Sequence, residues 1–413
     1  MRIALVTGQA RPATSPARPA TSASGPASAD LPGHAARVSS LGRTLAGLGH
    51  QVTIYARKDS PVLPRSTKLA DGVSIENLPA GPACPLADDK LLPHMAAFSG
   101  QLAQRWQQRP PDIVHAHFWT SGLAALAATR GLELPVVQTF HSLASADQRY
   151  LAARPASSPA RLRLEAVIAR SVSAVLAGSS AELSDLTRLG VRRTSIRVVP
   201  SGVDTTAFGP AGPVARRTKR PRLVAIASQA QDHGLDTVIR SLAYIPGAEL
   251  LIAGGPPRAQ LSSDPVLRDL ARLAQRMGVS NRLLFTGQVS PARMPALLRS
   301  ADLLVHVAMY EPFGLAPLEA MACGTPVVAA AGGSHQDEVI DGTTGVLIPP
   351  GSPAVLARRI RQLLASPMLL QGYGIAAADR ASTRYSWERI ARETLAVYER
   401  LRHVQLPAAA QAA

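Results

Sequence analysis

The sequence predicts an α/β protein made of two Rossmann-like, doubly wound parallel-sheet domains. Three observations carry this. Short Val/Ile/Leu-rich runs alternate with longer Ala/Leu/Arg stretches of helical period from end to end. The runs are continuously apolar, as in strands covered on both faces. A Pro/Gly-rich stretch at 200–221 splits them into two series, and 413 residues are enough for each to bury its own core.

In the first series the predicted strands are RIALVT (2–7), VTIYA (52–56), DIVHAH (112–117), PVVQTF (135–140), AVLAGS (174–179) and IRVVPS (196–201). In the second they are RLVAIAS (222–228), ELLIAGG (249–255), RLLFTG (282–287), DLLVHVA (302–308), PVVAAA (326–331) and GVLIPP (345–350). Helical stretches fill 352–403. Residues 8–33 break the rhythm: they repeat RPATS at 11 and 18 and are rich in Ala, Pro and Ser. Such a composition buries too little apolar surface to order itself, so a long mobile loop is expected there. It follows the first strand and should overhang the ligand-binding end of the sheet, as a lid or as a tolerated insertion.

A formal net charge of +16 points to contact with an anion: phosphates, nucleic acid or an acidic lipid surface. Only 4% of residues are aromatic, and the densest basic run, ARRTKRPR (215–222), sits where the linker is expected. That weighs against nucleic acid and reads as a solvated linker. No apolar run reaches the ~18–20 residues of a membrane span. The best candidate, SGLAALAATRGLELPVVQTF, is cut by Arg130, Glu133 and Pro135. The N-terminal apolar run is too short for a signal peptide. Cys84 and Cys323 form no disulfide or zinc pattern. A cytoplasmic location follows, with peripheral contact at an acidic membrane as a further option.

The stretch YEPFGLAPLE (310–319) carries two glutamates around the start of a helix. Pro312 and Gly314 break the chain, and the helical LAPLEAMACG follows. The N–H groups around Phe313, Gly314 and Leu315 would suit a diphosphate. Glu311 before the helix and Glu319 about a turn inside it would repel phosphates but accept hydroxyls. A diphosphate flanked by two diols, a ribose and a sugar ring, fits that arrangement. His115 and His117 alternate along a strand and so share a face, with His117 at the C-terminal end. Two such histidines could bind a metal, but no third ligand is identifiable, and none is expected.

The block EPFGLAPLEAMACGTPVVAAAGG resembles the glutamate-x7-glutamate motif of retaining GT-B glycosyltransferases. DIVHAHFWTSGLAAL, PVVQTFHSL, RVVPSGVDTTAFGP and DGTTGVLIPPG look like further blocks of that family in the expected order, so the resemblance spans nearly the whole chain. It looks most like the actinobacterial D-inositol-3-phosphate N-acetylglucosaminyltransferase-like and sucrose-phosphate-synthase-like branches. The resemblance implies a GT-B fold with two domains facing across a cleft. Residues 1–200 would bind the acceptor and 201–383 the nucleotide-sugar. A helix and tail at 384–413 would return to the N-terminal domain. It also implies roles. Glu319 would hold the ribose, and Glu311 would contact the donor sugar. Backbone N–H groups at Phe313, Gly314 and Leu315 would take sugar and phosphate oxygens, and His117 would lie beside the transferred sugar. Thr139 and Arg161 match positions that grip a phosphorylated acceptor, although Arg161 lies among Arg154, Arg163 and Arg170 and reads better as ordinary solvated charge.

Two departures stand out. The family's first loop usually carries a Gly-Gly pair at the diphosphate; here Gly33 remains and Pro32, which has no N–H, replaces its partner. After the first strand of the second domain the family normally has an arginine and then a lysine. Here, in ASQAQDHG, Ser228 and His233 stand in their places, with Asp232 beside the histidine. Each lost charge-assisted hydrogen bond is worth ~1.5–3 kcal/mol. A protonated His233 would restore part of the charge, and Arg222, Arg258 and Arg282 are other cations nearby in sequence. The resemblance thus implies hexosyl or N-acetylhexosaminyl transfer from a UDP- or GDP-sugar to a hydroxyl acceptor, a small phosphate, lipid or polysaccharide, with no cofactor. The alternative is a catalytically impaired paralogue that binds a nucleotide or sugar phosphate.

Overall fold

A computed structural model describes residues 1–8, 31–150, 158–227, 234–311 and 314–405, the side chains at 31–34, 88–89 and 404–405 excepted. Most of the expected loop at 8–33, together with Arg154, Ser228, Asp232, His233 and Phe313, lies outside the described residues. The chain divides into two compact units, one formed by Met1–Ser201 with the last helix Trp387–Gln405, the other by Gly202–Ser386.

The first unit holds an eight-stranded sheet. Its strands are β1 (Arg2–Thr7), β2 (Gln51–Arg57), β3 (Ser66–Ala70), β4 (Val73–Leu78), β5 (Ile113–His117), β6 (Val136–Thr139), β7 (Ala174–Ala177) and β8 (Ile196–Val198). The order across the sheet is β3-β4-β2-β1-β5-β6-β7-β8, parallel throughout except for β3 against β4. The second unit holds β9 (Arg222–Ala227), β10 (Glu249–Gly254), β11 (Leu283–Gly287), β12 (Leu303–His306), β13 (Val327–Ala330) and β14 (Gly345–Ile348). Their order is β11-β10-β9-β12-β13-β14, all parallel. Both are Rossmann-like sheets.

The second unit shows why its strands are apolar throughout. Leu223, Ala225, Leu250, Ile252, Leu303 and Val305 enter one core, and the alternating Val224, Leu251, Ala253, Leu304 and Val327 enter another on the opposite face. Helices cover both faces, so neither set of side chains can be polar. In the first unit Ile3, Leu5, Val52 and Ile54 share a core with Ala391, Leu395 and Tyr398 of the last helix.

Each series contributes its six predicted strands, but the hairpin β3–β4 is additional. VSIENL alternates buried Val73 and Ile75 with half-exposed Ser74 and Glu76. A search for continuous apolar runs therefore passes over it. The basic run 215–222 also differs from expectation. Arg217 pairs with Asp302 at 2.6 Å, and buried Arg222 pairs with Glu249 at 2.7 Å. These acids stand at the starts of β10 and β12, so two of the run's five basic residues are docked on that end of the sheet rather than solvated.

Strand order fixes where a ligand can enter. In the first sheet the order reverses at β1, between β2 and β5; in the second it reverses at β9, between β10 and β12. Crevices open beyond the C-terminal ends of strands at such points. His117 ends β5, and Glu311 follows β12.

Candidate active site

In the second unit, the chain leaves β12 and enters the helix Leu315–Ala322 through Gly314, whose φ of 43° is left-handed. A Cβ there would also collide with the carboxylate of buried Glu338, so any other residue would be strained. Glu319 lies one turn beyond Leu315; both are half-buried, while Pro317, Leu318 and Ala320 face the core. Leu315 and Glu319 thus share the open side of the helix start. The backbone at Glu311 is held from the turn after β13. Ser334 N–H donates to the Glu311 carbonyl at 2.8 Å, and Gly333 (φ 60°) presses so close to it that a Cβ would not fit.

Behind Glu311 lies a buried histidine relay. His335 Nδ1 is 3.0 Å from the Ala330 carbonyl, which can only accept, so that nitrogen carries the proton. Burial pushes the His335 imidazole below its ordinary value, which keeps it neutral and leaves Nε2 as an acceptor. His306 Nδ1–H then donates to it at 3.0 Å. His306 Nε2 faces the Glu311 carboxylate at 3.7 Å.

In the first unit, His115 and His117 lie on one face with ring centroids 4.2 Å apart. His115 bonds Tyr398 OH through Nδ1 (2.7 Å) and Thr139 Oγ1 through Nε2 (2.9 Å), so neither nitrogen is left for a metal. His117 Nδ1 meets His141 Nε2 at 3.0 Å, while its buried Nε2 has no hydrogen-bond partner among the described residues. Burial pushes the His117 imidazole down to about 3, so it is neutral near pH 7. Phe118 (φ 71°) and His141 (φ 67°) are the non-glycine residues with left-handed backbone among those described. Such strain costs ~1–3 kcal/mol per residue and clusters at functional sites. The buried Gln138 amide holds the turn by donating to the carbonyls of Phe118 and Thr139 at 3.1 and 2.9 Å.

Gly33 falls in the first turn of the helix Leu31–Gly47, beside Pro32. Arg161 corrects the solvated-charge reading. Its side chain is 16% exposed, donates to Glu165 (2.7 Å) and Ser142 Oγ (2.9 Å), and lies 3.4 Å from Asp147. Glu165 is one helical turn on, and Asp147 and Ser142 come from the neighbouring segment, so a ligand at Arg161 would share it with two carboxylates. Of the cations named beside Ser228 and His233, Arg222 starts its strand, and Arg282 donates to the carbonyls of Leu242, Ile245 and Ala248 before β11. Both are at the wrong end of the sheet for the switch point. Arg258 follows β10 and is exposed, and its guanidinium has no hydrogen bond or ion pair among the described residues.

His141, Gln138, Tyr398, His306, His335 and Glu338 escaped the sequence reading. QTFHS and GGSHQDE had a signal, buried-type positions occupied by polar residues beside the recognised blocks; Tyr398 had none. Among the described residues no group of three or more His, Cys, Asp or Glu is placed to hold a metal ion, and no helix is long and apolar enough to cross a membrane.

Two family descriptions match the chain: Glycosyltransferase Family 4 over residues 33–207 and Glycosyl transferases group 1 over residues 213–380. Among solved structures, sucrose-phosphate synthase from Thermosynechococcus elongatus aligns with a TM-score of 0.83 at 26% identity, covering 98% of this chain and 100% of that one. HepE of Anabaena, solved in complex with UDP, shares the fold with a TM-score of 0.72 at 18% identity, covering 97% and 100%. Fold and matches together define a GT-B glycosyltransferase.

The D-inositol 3-phosphate glycosyltransferase of Acidothermus cellulolyticus is 32% identical over 381 residues, 87% of this chain and 84% of that one. That of Xylanimonas cellulosilytica is 32% identical over 392 residues, 90% and 92%. The chain belongs to this glycosyltransferase family.

Proposed function

We propose that the protein is a retaining glycosyltransferase that moves a sugar from a nucleotide-sugar to a hydroxyl of a phosphorylated acceptor. The observation that carries this reading is the Glu311–Gly314–Glu319 constellation at the switch point of the second sheet. There a helix start offers N–H groups to a diphosphate, and carboxylates on either side can accept hydroxyls. Glu319 takes the ribose and Glu311 the donor sugar. His117, neutral and with a buried Nε2, accepts or donates one hydrogen bond at the sugar without carrying charge.

In the transfer, the bond from the anomeric carbon to the diphosphate oxygen breaks, and a bond to the acceptor oxygen forms on the same face. The acceptor's proton leaves with the diphosphate. Charge grows on that diphosphate as the sugar departs, so donors at the helix start act most strongly in the transition state. Arg258 stands at the strand end where a cation would assist. The donor class is supported by the UDP and UDP-glucose complexes of HepE, and D-inositol 3-phosphate is the first acceptor to try because it names the relatives.

Purified protein is screened with UDP- and GDP-sugars, with and without D-inositol 3-phosphate, for release of the nucleoside diphosphate and for the anomeric configuration of the product. Transfer with retention supports the reading. Nucleotide binding without turnover on any donor favours the second reading, an impaired paralogue. The replacement of two cations by Ser228 and His233 is the observation that favours that second reading.

A further inference from the structure

Tyr398 belongs to the last helix, more than 280 residues along the chain from His115 (|i−j| = 283), and is fully buried. Its hydroxyl meets His115 Nδ1 at 2.7 Å, and His115 Nε2 meets Thr139 Oγ1 at 2.9 Å. Three groups share two hydrogen bonds, and the direction of both follows from accounting for the protons. Burial holds His115 well below its ordinary value, so the ring is neutral and one nitrogen carries a hydrogen. Suppose that hydrogen were on Nδ1. It would donate to Tyr398, the phenolic proton would be buried with no acceptor among the described residues, and Thr139 would spend its own proton on Nε2. An orphaned buried donor is expensive. With the hydrogen on Nε2, Tyr398 donates to Nδ1, His115 donates to Thr139 Oγ1, and no buried proton is stranded. The hydrogen bond at one imidazole nitrogen thus dictates the tautomer at the other.

We infer that Tyr398, acting through His115, fixes half-buried Thr139 as a hydrogen-bond donor toward the acceptor, so that the site selects an oxyanion there. With its oxygen already receiving from His115, the Thr139 hydroxyl directs its proton away from the ring. An acceptor group with lone pairs and no proton of its own, such as a phosphate oxygen, satisfies it; a neutral hydroxyl satisfies it less well. Tyr398 and His115 are positioning residues. The inference rests on the reading of Thr139 as an acceptor contact.

The experiment has two independent readouts. Nitrogen NMR of protein labelled at the imidazole nitrogens, with His115 assigned through His115→Gln, reports the tautomer directly. The Nε2–H form is expected in the full-length protein, and the Nδ1–H form would overturn the inference whatever Thr139 does. Calorimetric titration with D-inositol 3-phosphate is then compared for wild type, Tyr398→Phe, Thr139→Val and the double variant. Tyr398→Phe keeps the ring in the core and is expected to weaken binding roughly twofold to tenfold, the worth of one hydrogen bond. It should have no further effect once Thr139 is Val. Additive losses would mean that Tyr398 acts only through general stability and would sink the relay. An unchanged affinity in Thr139→Val would instead remove the acceptor reading of Thr139, leaving the tautomer to decide the relay.

Discussion

Glu311 and Glu319 flank the same helix start from different sides, and their substitution should separate binding from turnover. Glu319→Ala is expected to weaken UDP or GDP binding roughly tenfold to a hundredfold, the worth of a hydrogen bond to a charged group. Glu311→Ala should leave that affinity near wild type and slow transfer. Calorimetric titration and initial rates make the comparison, and equal nucleotide affinity in wild type and Glu319→Ala would remove the ribose assignment. Glu182 gives a prediction about stability. Its buried carboxyl accepts from Gly178 N–H at 2.6 Å, and burial pushes it from 4.5 up to about 7. Between those values the unfolded chain has released a proton that the native carboxyl keeps, so rising pH costs stability across that window. Glu182→Gln cannot ionise. Its Tm relative to wild type should therefore climb from pH 5 to pH 7, and a pH-independent difference would mean that the native carboxyl is already ionised. His117 acts with the opposite sign: falling pH below 6.5 charges the unfolded ring first and costs stability down to about 3.

The helix Leu315–Ala322 is short, and its start depends on one residue. Gly314 combines a left-handed φ with a neighbouring carboxylate in the place of a Cβ. Gly314→Ala should cost ~1–3 kcal/mol in strain alone. For a unit of this size that lowers Tm by roughly 2–4 °C per kcal/mol. Thermal unfolding tests it, with Gly47→Ala as a control, since a Cβ at Gly47 meets nothing. Equal Tm values in the two variants would show that the helix start adapts. The hairpin β3–β4 teaches a related lesson about elements. With one face half-open it needs polar residues on alternate positions, and this hides it from a reading tuned to strands buried on both sides. β5 and β12 were legible for the opposite reason, because two covered faces demand an unbroken apolar run.

At the scale of the molecule, the last helix belongs to the first unit although the chain passes through the whole second unit before reaching it. Ala391, Leu395 and Tyr398 complete the core around Ile3, Leu5, Val52 and Ile54. A fragment of residues 202–386 has both faces of its sheet covered by its own helices and should unfold cooperatively by itself. A fragment of residues 1–201 lacks the side chains that close its core and should be poorly structured until residues 387–405 are supplied. Circular dichroism melts of both fragments check this; a sharp transition for 1–201 alone would show that the helix is dispensable. The sequence by itself determined the two parallel sheets and the break between them, and it singled out His117 and Glu311, which the fold sets at and just after the C-terminal ends of β5 and β12. Periodicity, glycine breaks and residue spacing are local properties of the chain, and a reader of the chain can see them. Only the tertiary structure decided which charges are paired, that Arg258 alone among three named arginines follows the correct strand end, and that Tyr398 reaches His115. Those outcomes depend on strand order and on contacts between residues hundreds of positions apart, and no local pattern encodes such contacts.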